Sequence, residues 1–257
     1  MTLKNQTDFH TLAQEARIKV LSMIHQAGTS HIGSNFSCID FATVLYEQAS
    51  KQDQIVWSKG WAAATIYYFL AKQGKIPKED LDKFPQAPYL GLAEPYVPGV
   101  FAAGGAAGHG LPIAVGMALA KKLKGEKGKV YCIMSDGELN CGTTWESAAL
   151  AKHHKLDNLV ILVDVNGWQA LGKTEDVLNI DAQQAFLGFG CDVKSVDGHN
   201  FLAIAQSLER VAIDRPMVVL FQTIKGNGVS FMEDKLEYHY LKVTDEMYEK
   251  ALKEFDA

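Results

Sequence analysis

The chain has 257 residues, 47% of them hydrophobic and 21% charged, with a formal net charge of -5. That balance excludes disordered and fibrous chains, and no stretch approaches the roughly 18 apolar residues of a membrane span. The start Met1-Thr2-Leu3-Lys4-Asn5 lacks the apolar core of a signal peptide, and no basic run extends beyond Lys121-Lys122 with Lys124, so neither a membrane nor nucleic acid is an expected partner and a cytoplasmic protein is expected.

Three helices are expected first, over 10–26, 37–48 and 61–73. In the first, Leu12, Ala16, Val20, Met23 and Ile24 recur at helical spacing, and Gly74 stands where a helix C-cap wants it. A Pro/Gly-rich loop follows over 84–110, and its stretch 102–110 holds only Ala, Gly and one His. Such small residues let a backbone approach a ligand closely. Beyond it the pattern alternates: helix 111–123, strand 130–134, helix 144–154, strand 159–163, helix 182–187, strand 192–196, helix 202–212, strand 217–222 and helix 245–254. Strands that are continuous apolar runs separated by helices imply an α/β fold, a parallel sheet with helices on both faces. No repeat or low-complexity linker interrupts it, so one domain is expected over 1–257. The cysteines Cys38, Cys132, Cys141 and Cys191 have no Cys-x-x-Cys spacing, which argues for free thiols in a reducing compartment rather than a zinc site or disulfide framework.

Ligands of such sheets bind at the carboxyl ends of strands. Asp136 closely follows one strand and Asn166 the next, separated by about the 30 residues of a βαβ unit, so both belong to the same edge. Mg²⁺ takes near-octahedral oxygen, commonly one or two carboxylates with phosphate oxygens and water. Asp136, the Asn166 side-chain oxygen and a carbonyl just beyond it would leave positions open for a diphosphate. Gly137 would admit a phosphate to the backbone, and a helix opening near Thr144 would add a favourable dipole. The same residues also suit ordinary turns, Asp136-Gly137 as a βα turn and Asn166-Gly167 as a left-handed one.

Longer blocks carry a resemblance. Ser135-Asp136-Gly137-Glu138-Leu139, Trp145-Glu146-Ser147-Ala148-Ala149, His153-His154-Lys155-Leu156-Asp157-Asn158-Leu159 and Asp164-Val165-Asn166-Gly167-Trp168-Gln169 together resemble the thiamine-diphosphate motif of transketolases. Ala27-Gly28-Thr29-Ser30-His31-Ile32-Gly33, Ser58-Lys59-Gly60, Gly108-His109-Gly110-Leu111, Lys225-Gly226-Asn227-Gly228 and Tyr238-His239-Tyr240 are similar to other segments of that family, in the same order. The likeness looks nearest to the stand-alone N-terminal subunits of split transketolases. It implies the thiamine-diphosphate-binding fold, with Mg²⁺ held by Asp136, Asn166 and the carbonyl of Trp168. It also implies diphosphate contacts from Gly137 and Asn166, a cofactor lining from Gly105, Ala106 and Ala107, and His31 and His239 facing the substrate or the reacting carbon, His239 also beside the cofactor.

Departures from the family pattern stand beside these matches, among them Ala106-Ala107 and Phe101-Ala102-Ala103-Gly104 in place of a more polar stretch. Trp61 stands where the family has a His after Ser-Lys-Gly, Leu92 where it has a His after Gly, and Cys141 where it has a Glu linking two cofactor sites. An indole only donates a hydrogen bond and an aliphatic group does neither. The cofactor pocket is therefore expected to be kept and the substrate pocket rebuilt, with weak activity on standard phosphorylated sugars and a preference for a less polar or tethered substrate.

The expected function is transfer of a two-carbon ketol unit from a ketose or 2-keto donor to an aldehyde or ketone acceptor, the cofactor acting as electron sink. A complete enzyme of this kind also needs a pyrimidine-binding domain, and no second sheet is legible after 217–222. The resemblance implies a two-by-two heterotetramer with a separate C-terminal, pyrimidine-domain subunit. Two other readings stand beside this one: a non-catalytic structural or regulatory subunit that retains the fold, and a 2-keto acid decarboxylase or dehydrogenase component, which the blocks around Ser58, Lys225 and His239 fit less well.

Overall fold

In the computed structural model, which describes residues 6–255, helices come first: α1 (Gln6–Ala27), the short α2 (Ile32–Phe36) and α3 (Ile39–Gln48). Strand β1 (Gln54–Trp57), helix α4 (Ala63–Lys72) and a long loop lead to α5 (Gly110–Lys124). Then follow β2 (Val130–Ser135), α6 (Gly142–His153), β3 (Leu159–Val165), the small hairpin β4 (Trp168–Gln169) and β5 (Gly172–Lys173), and α7 (Thr174–Leu178). The chain continues through α8 (Ala182–Gly188), β6 (Asp192–Asp197), α9 (Phe201–Glu209), β7 (Met217–Gln222) and α10 (Asp245–Phe255). Residues 1–5, read above for a leader, lie outside the described residues.

Five strands form one parallel sheet in the order β1-β2-β3-β7-β6. Successive side chains of a strand point to opposite faces, and both faces here are covered. Tyr131, Ile133, Val160, Leu162, Val219 and Phe221 pack into one core with α1, α3, α4 and α9. Cys132, Met134, Ile161, Val163, Val218 and Leu220 pack into the other with α5, α6 and Phe186 of α8. Each fully buried aliphatic or aromatic side chain contributes about 1.5–3 kcal/mol, which is why the central strands carry no polar alternation until Asp164. Helix α1 buries Ala16, Val20, Met23 and Ile24 of the stripe expected from spacing, while Leu12 is only half-buried and Ala13 is buried beside it. Helix α4 is closed by Gly74 in the left-handed region (φ 71°), a conformation that costs glycine little.

Some boundaries differ from expectation. Strand β1 is four residues long, too short an apolar run to register as an element. The helix expected over 61–73 opens as a 3-10 turn, Gly60–Ala62, and the one expected over 202–212 stops at Glu209 with Arg210 extended. Strand β3 runs on to Val165, which puts Asp164 inside the sheet. No helix among the described residues is long and apolar enough to cross a membrane.

Candidate functional site

Ser135 ends β2 and caps a short 3-10 turn, Asp136–Asn140, by a reciprocal capping box with Glu138. Ser135 pairs with Asp164 on the adjacent β3, so Asp136 and Asn166 emerge side by side from neighbouring strands at the carboxyl edge. They are linked: Asp136 Oδ2 accepts the Gly167 N–H at 2.8 Å and the Thr174 hydroxyl at 3.2 Å, while Oδ1 accepts the Gly137 N–H at 2.9 Å. Asn166 Oδ1 accepts the Trp168 N–H at 3.0 Å. Burial, then the nearby Asp164 charge, raises the Asp136 carboxyl to about 6.

These residues open on a cleft of about 230 Å³. Asp136, Gly137, Asn166, Trp168, Ala107 and His239 line it. Gly105 and Ala106, expected beside them, do not, and His31 lines an adjoining cavity instead. The first turn of α6, the helix expected to add its dipole, is not among the residues that line the cleft. The loop 102–110 meets the Ser58-Lys59-Gly60 turn so closely that a Cβ on Gly60 would lie 1.9 Å from Gly104 Cα; the small residues serve loop-on-loop contact here.

Several residues that the motif pattern left without a role are central to the geometry. Lys59 is buried and ion-paired with Asp164, which also accepts hydrogen bonds from Ser37 (2.7 Å) and Thr223. These partners hold Asp164 ionised against its burial. Glu138 is an acceptor-only clamp: its oxygens take the Ser58 hydroxyl, the Gly108 N–H at 3.0 Å and the Ser135 N–H at 2.8 Å, joining three loops around the cleft. The reach of Glu138 to Ser58 and Gly108 carries no local signal in the sequence.

Lys225 differs from Lys59. It is 1% exposed, and its Nζ donates to His239 Nδ1 at 3.0 Å, with no carboxylate ion pair among the described residues. Burial, then the charge of Lys59, lowers it to about 8, leaving it charged at neutral pH. A buried cation without a paired anion is costly, and here it stands beside a cleft. His239 and His31 are held neutral, at about 3 and about 4, chiefly by burial and then by the Lys225 charge. Their rings lie 4.7 Å apart. The lining can thus hold a hard cation through one carboxylate, an amide oxygen and a carbonyl, and an anion through Lys59, with the uncharged His239 alongside and Lys225 bonded to it.

Comparison with known proteins shows what the chain is similar to. The family model described as "Transketolase, thiamine diphosphate binding domain" matches residues 9–255. The chain is 35% identical over 253 residues to a subunit of the apulose-4-phosphate transketolase of Actinobacillus succinogenes, covering 93% of this chain and 91% of that one. It is 32% identical over 272 residues to the 6-deoxy-6-sulfo-D-fructose transketolase subunit SqwG of a Clostridium species, covering 98% of each. Among solved structures, the transketolase of Campylobacter jejuni superposes with a TM-score of 0.92 at 28% identity, over 98% of this chain but 43% of that one.

Proposed function

The chain belongs to the transketolase family of thiamine diphosphate binding domains, and on that premise we propose that it is one half-site of a split, transketolase-like transferase. The reading is a single domain that anchors the cofactor, works in a two-by-two heterotetramer with a separate pyrimidine-domain subunit, and moves a two-carbon ketol unit from a ketose or 2-keto donor to an aldehyde or ketone. The observation that carries it is the carboxyl-edge cleft lined by Asp136, Gly137, Asn166, Lys59 and His239, with the buried Lys225 bonded to the Nδ1 of that histidine. The relatives' names, each a transketolase subunit, support the partner.

In this reading Asp136, Asn166 and the Trp168 carbonyl hold Mg²⁺, and Gly137, Asn166, Lys59 and Lys225 receive the diphosphate, with the loop 105–107 over the cofactor. The buried Lys225 fits that anion because no carboxylate forms an ion pair with it among the described residues. Bound there, thiamine diphosphate supplies the electron sink for breaking and forming the carbon–carbon bond. The protein's part is orientation and uncharged donors: Lys225 donates to His239 Nδ1, which fixes the tautomer with the proton on Nε2, and His31 stands next to it. A neutral imidazole N–H can stabilise a developing oxyanion without neutralising the carboxylates below it. The unpaired thiols suit a reducing compartment, and the cytoplasm is the one this reading names.

A Mg²⁺-dependent titration of thiamine diphosphate into the isolated chain and into the complex it co-purifies with tests the reading. Binding in at least one state, with turnover only in the complex, is the expected result. Turnover by the single chain would overturn the half-site assignment. No binding in either state would favour a structural or regulatory subunit, the reading to which Trp61, Leu92 and Cys141 lend support.

A further inference from the structure

Lys225 reaches His239 from the loop that follows β7, and that loop is tied to residues outside the cleft. Its first residue, Thr223, donates its backbone N–H to the Val165 carbonyl at 3.1 Å. The next, Ile224, is 42% exposed, so side-chain packing does little to place the backbone just before the lysine. A hydrogen bond does so instead: the Ile224 N–H donates to His199 Nε2 at 2.8 Å. Beyond the lysine, the Asn227 carbonyl accepts from Arg17 Nε at 3.0 Å, and Asn227 Nδ2 donates to Asp40 Oδ2 at 3.1 Å.

His199, Asp40 and Arg17 form one cluster. A ring nitrogen that accepts an N–H carries no proton, so the His199 proton sits on Nδ1, 2.8 Å from Asp40 Oδ2. The same oxygen accepts from Arg17 Nη2 at 2.7 Å, and against its burial the Arg17 charge and the His199 bond keep Asp40 ionised. The turn that bears His199 is docked on the end of β7: the Gly198 N–H donates to the Gln222 carbonyl at 2.8 Å, and a Cβ on Gly198 would lie 2.4 Å from Thr223 Cγ2. None of the three residues lines the cofactor cleft. They act on it, if at all, through Lys225, an ammonium that can only donate and whose bond to Nδ1 leaves the His239 proton on Nε2.

We propose that His199 is a positioning residue of the site: oriented by Asp40, it sets the backbone from which Lys225 reaches His239, and so fixes the tautomer of that imidazole and the cation beside it. The effect on cofactor affinity rests on the half-site reading above; the effect on His239 does not.

Ring ¹⁵N shifts of the full chain labelled in histidine test it, the His239 and His199 signals being identified by their loss in His239→Gln and His199→Gln. In the wild-type chain His199 is expected as the Nδ1–H tautomer and His239 as the Nε2–H tautomer. His199→Leu removes both ring bonds but leaves Asp40 with Arg17 and Asn227, and should move the His239 signals toward the average of two exchanging tautomers. His199→Gln, whose amide can accept from Ile224 and donate to Asp40, should restore them. A residue that only stabilised the fold would leave the His239 signals in place. In a Mg²⁺-dependent titration of thiamine diphosphate into the co-purified complex, His199→Leu should weaken binding by about threefold to tenfold, no more than loss of the Lys225 charge itself, and His199→Gln should bind as the wild type does. His199 found as the Nε2–H tautomer in the wild-type chain, a reading that needs no variant to fold, would overturn the inference. So would His239 signals unmoved in His199→Leu or displaced equally in His199→Gln, or an unchanged affinity in His199→Leu. A wild-type complex that shows the expected tautomers but binds no thiamine diphosphate would remove the half-site reading and leave the positioning of His239 standing.

Discussion

The cofactor cleft and the Trp61 cavity adjoin each other but are built from opposite materials. The cleft is walled by charged groups with fixed partners, Lys59 on Asp164 and Glu138 on three loops, and by backbone N–H groups. The cavity beside it, lined by His31, Trp61, Phe84 and Asn35, is walled largely by rings, with Asn35 held by bonds to the protein. A charged network tolerates few substitutions, because removing one member strands the others in low dielectric. A shape-based wall tolerates many, because hydrophobic exchanges of similar volume cost little. Of the departures, Trp61 stands where the two meet, lining both.

The contrast is broken most severely at Lys59. Lys59→Met strands the buried Asp164, and thermal or urea unfolding should show a loss of about 3–5 kcal/mol. Asp136→Ala should leave the fold in place by circular dichroism but weaken Mg²⁺-dependent thiamine diphosphate binding on the order of 100-fold by calorimetry, since it removes the only carboxylate proposed for the cation. An unchanged affinity would take the metal assignment away from it.

Lys225→Met separates charge from stability. Affinity for the cofactor should fall by about tenfold, while the melting temperature holds or rises because an unpaired buried cation is gone. Lys225 is charged below about 8, so wild-type affinity should decline as pH rises through 8, and the variant should be flat over that range. The neighbouring imidazoles give a stability effect of opposite trend. Both His31 and His239 titrate below the ordinary 6.5, at about 4 and about 3, so the unfolded chain binds protons first. Stability is therefore full above pH 6.5 and drains as pH falls toward 4 and 3, and in His31→Gln the slope of melting temperature against pH in that window should shrink.

The smallest effect belongs to the cavity. Thr29→Val removes a buried hydroxyl that has no partner, and unfolding should show a change between zero and a gain of about 1 kcal/mol. A loss well beyond that would mean the cavity wall is as tightly networked as the cleft, and the comparison would fail.

Much of this was legible residue by residue. The apolar runs of β2, β3 and β7 declared a doubly covered parallel sheet, and Asp136 and Asn166 at a βαβ spacing declared its edge. The short β1 was not legible, because four residues between polar neighbours carry no period. Lys59 and Lys225 were visible only as letters in small-residue blocks, since nothing local distinguishes a lysine that ends in the core from one that ends in water. Of the expected cofactor lining 105–107, Ala107 alone lines the cleft; a glycine-rich loop has no side chains to announce which way it faces.

The sequence by itself determined the layers, the family and the identity of the edge that carries the chemistry, because these follow from hydrophobic period and motif order along the chain. Only the tertiary structure decided which charges are paired. Asp164 meets Lys59, and Lys225 meets a histidine in place of a carboxylate, through contacts between segments more than 100 residues apart in one case and between neighbouring loops in the other. Whether a buried charge is satisfied depends on what the fold brings within hydrogen-bond distance, and no local pattern encodes that.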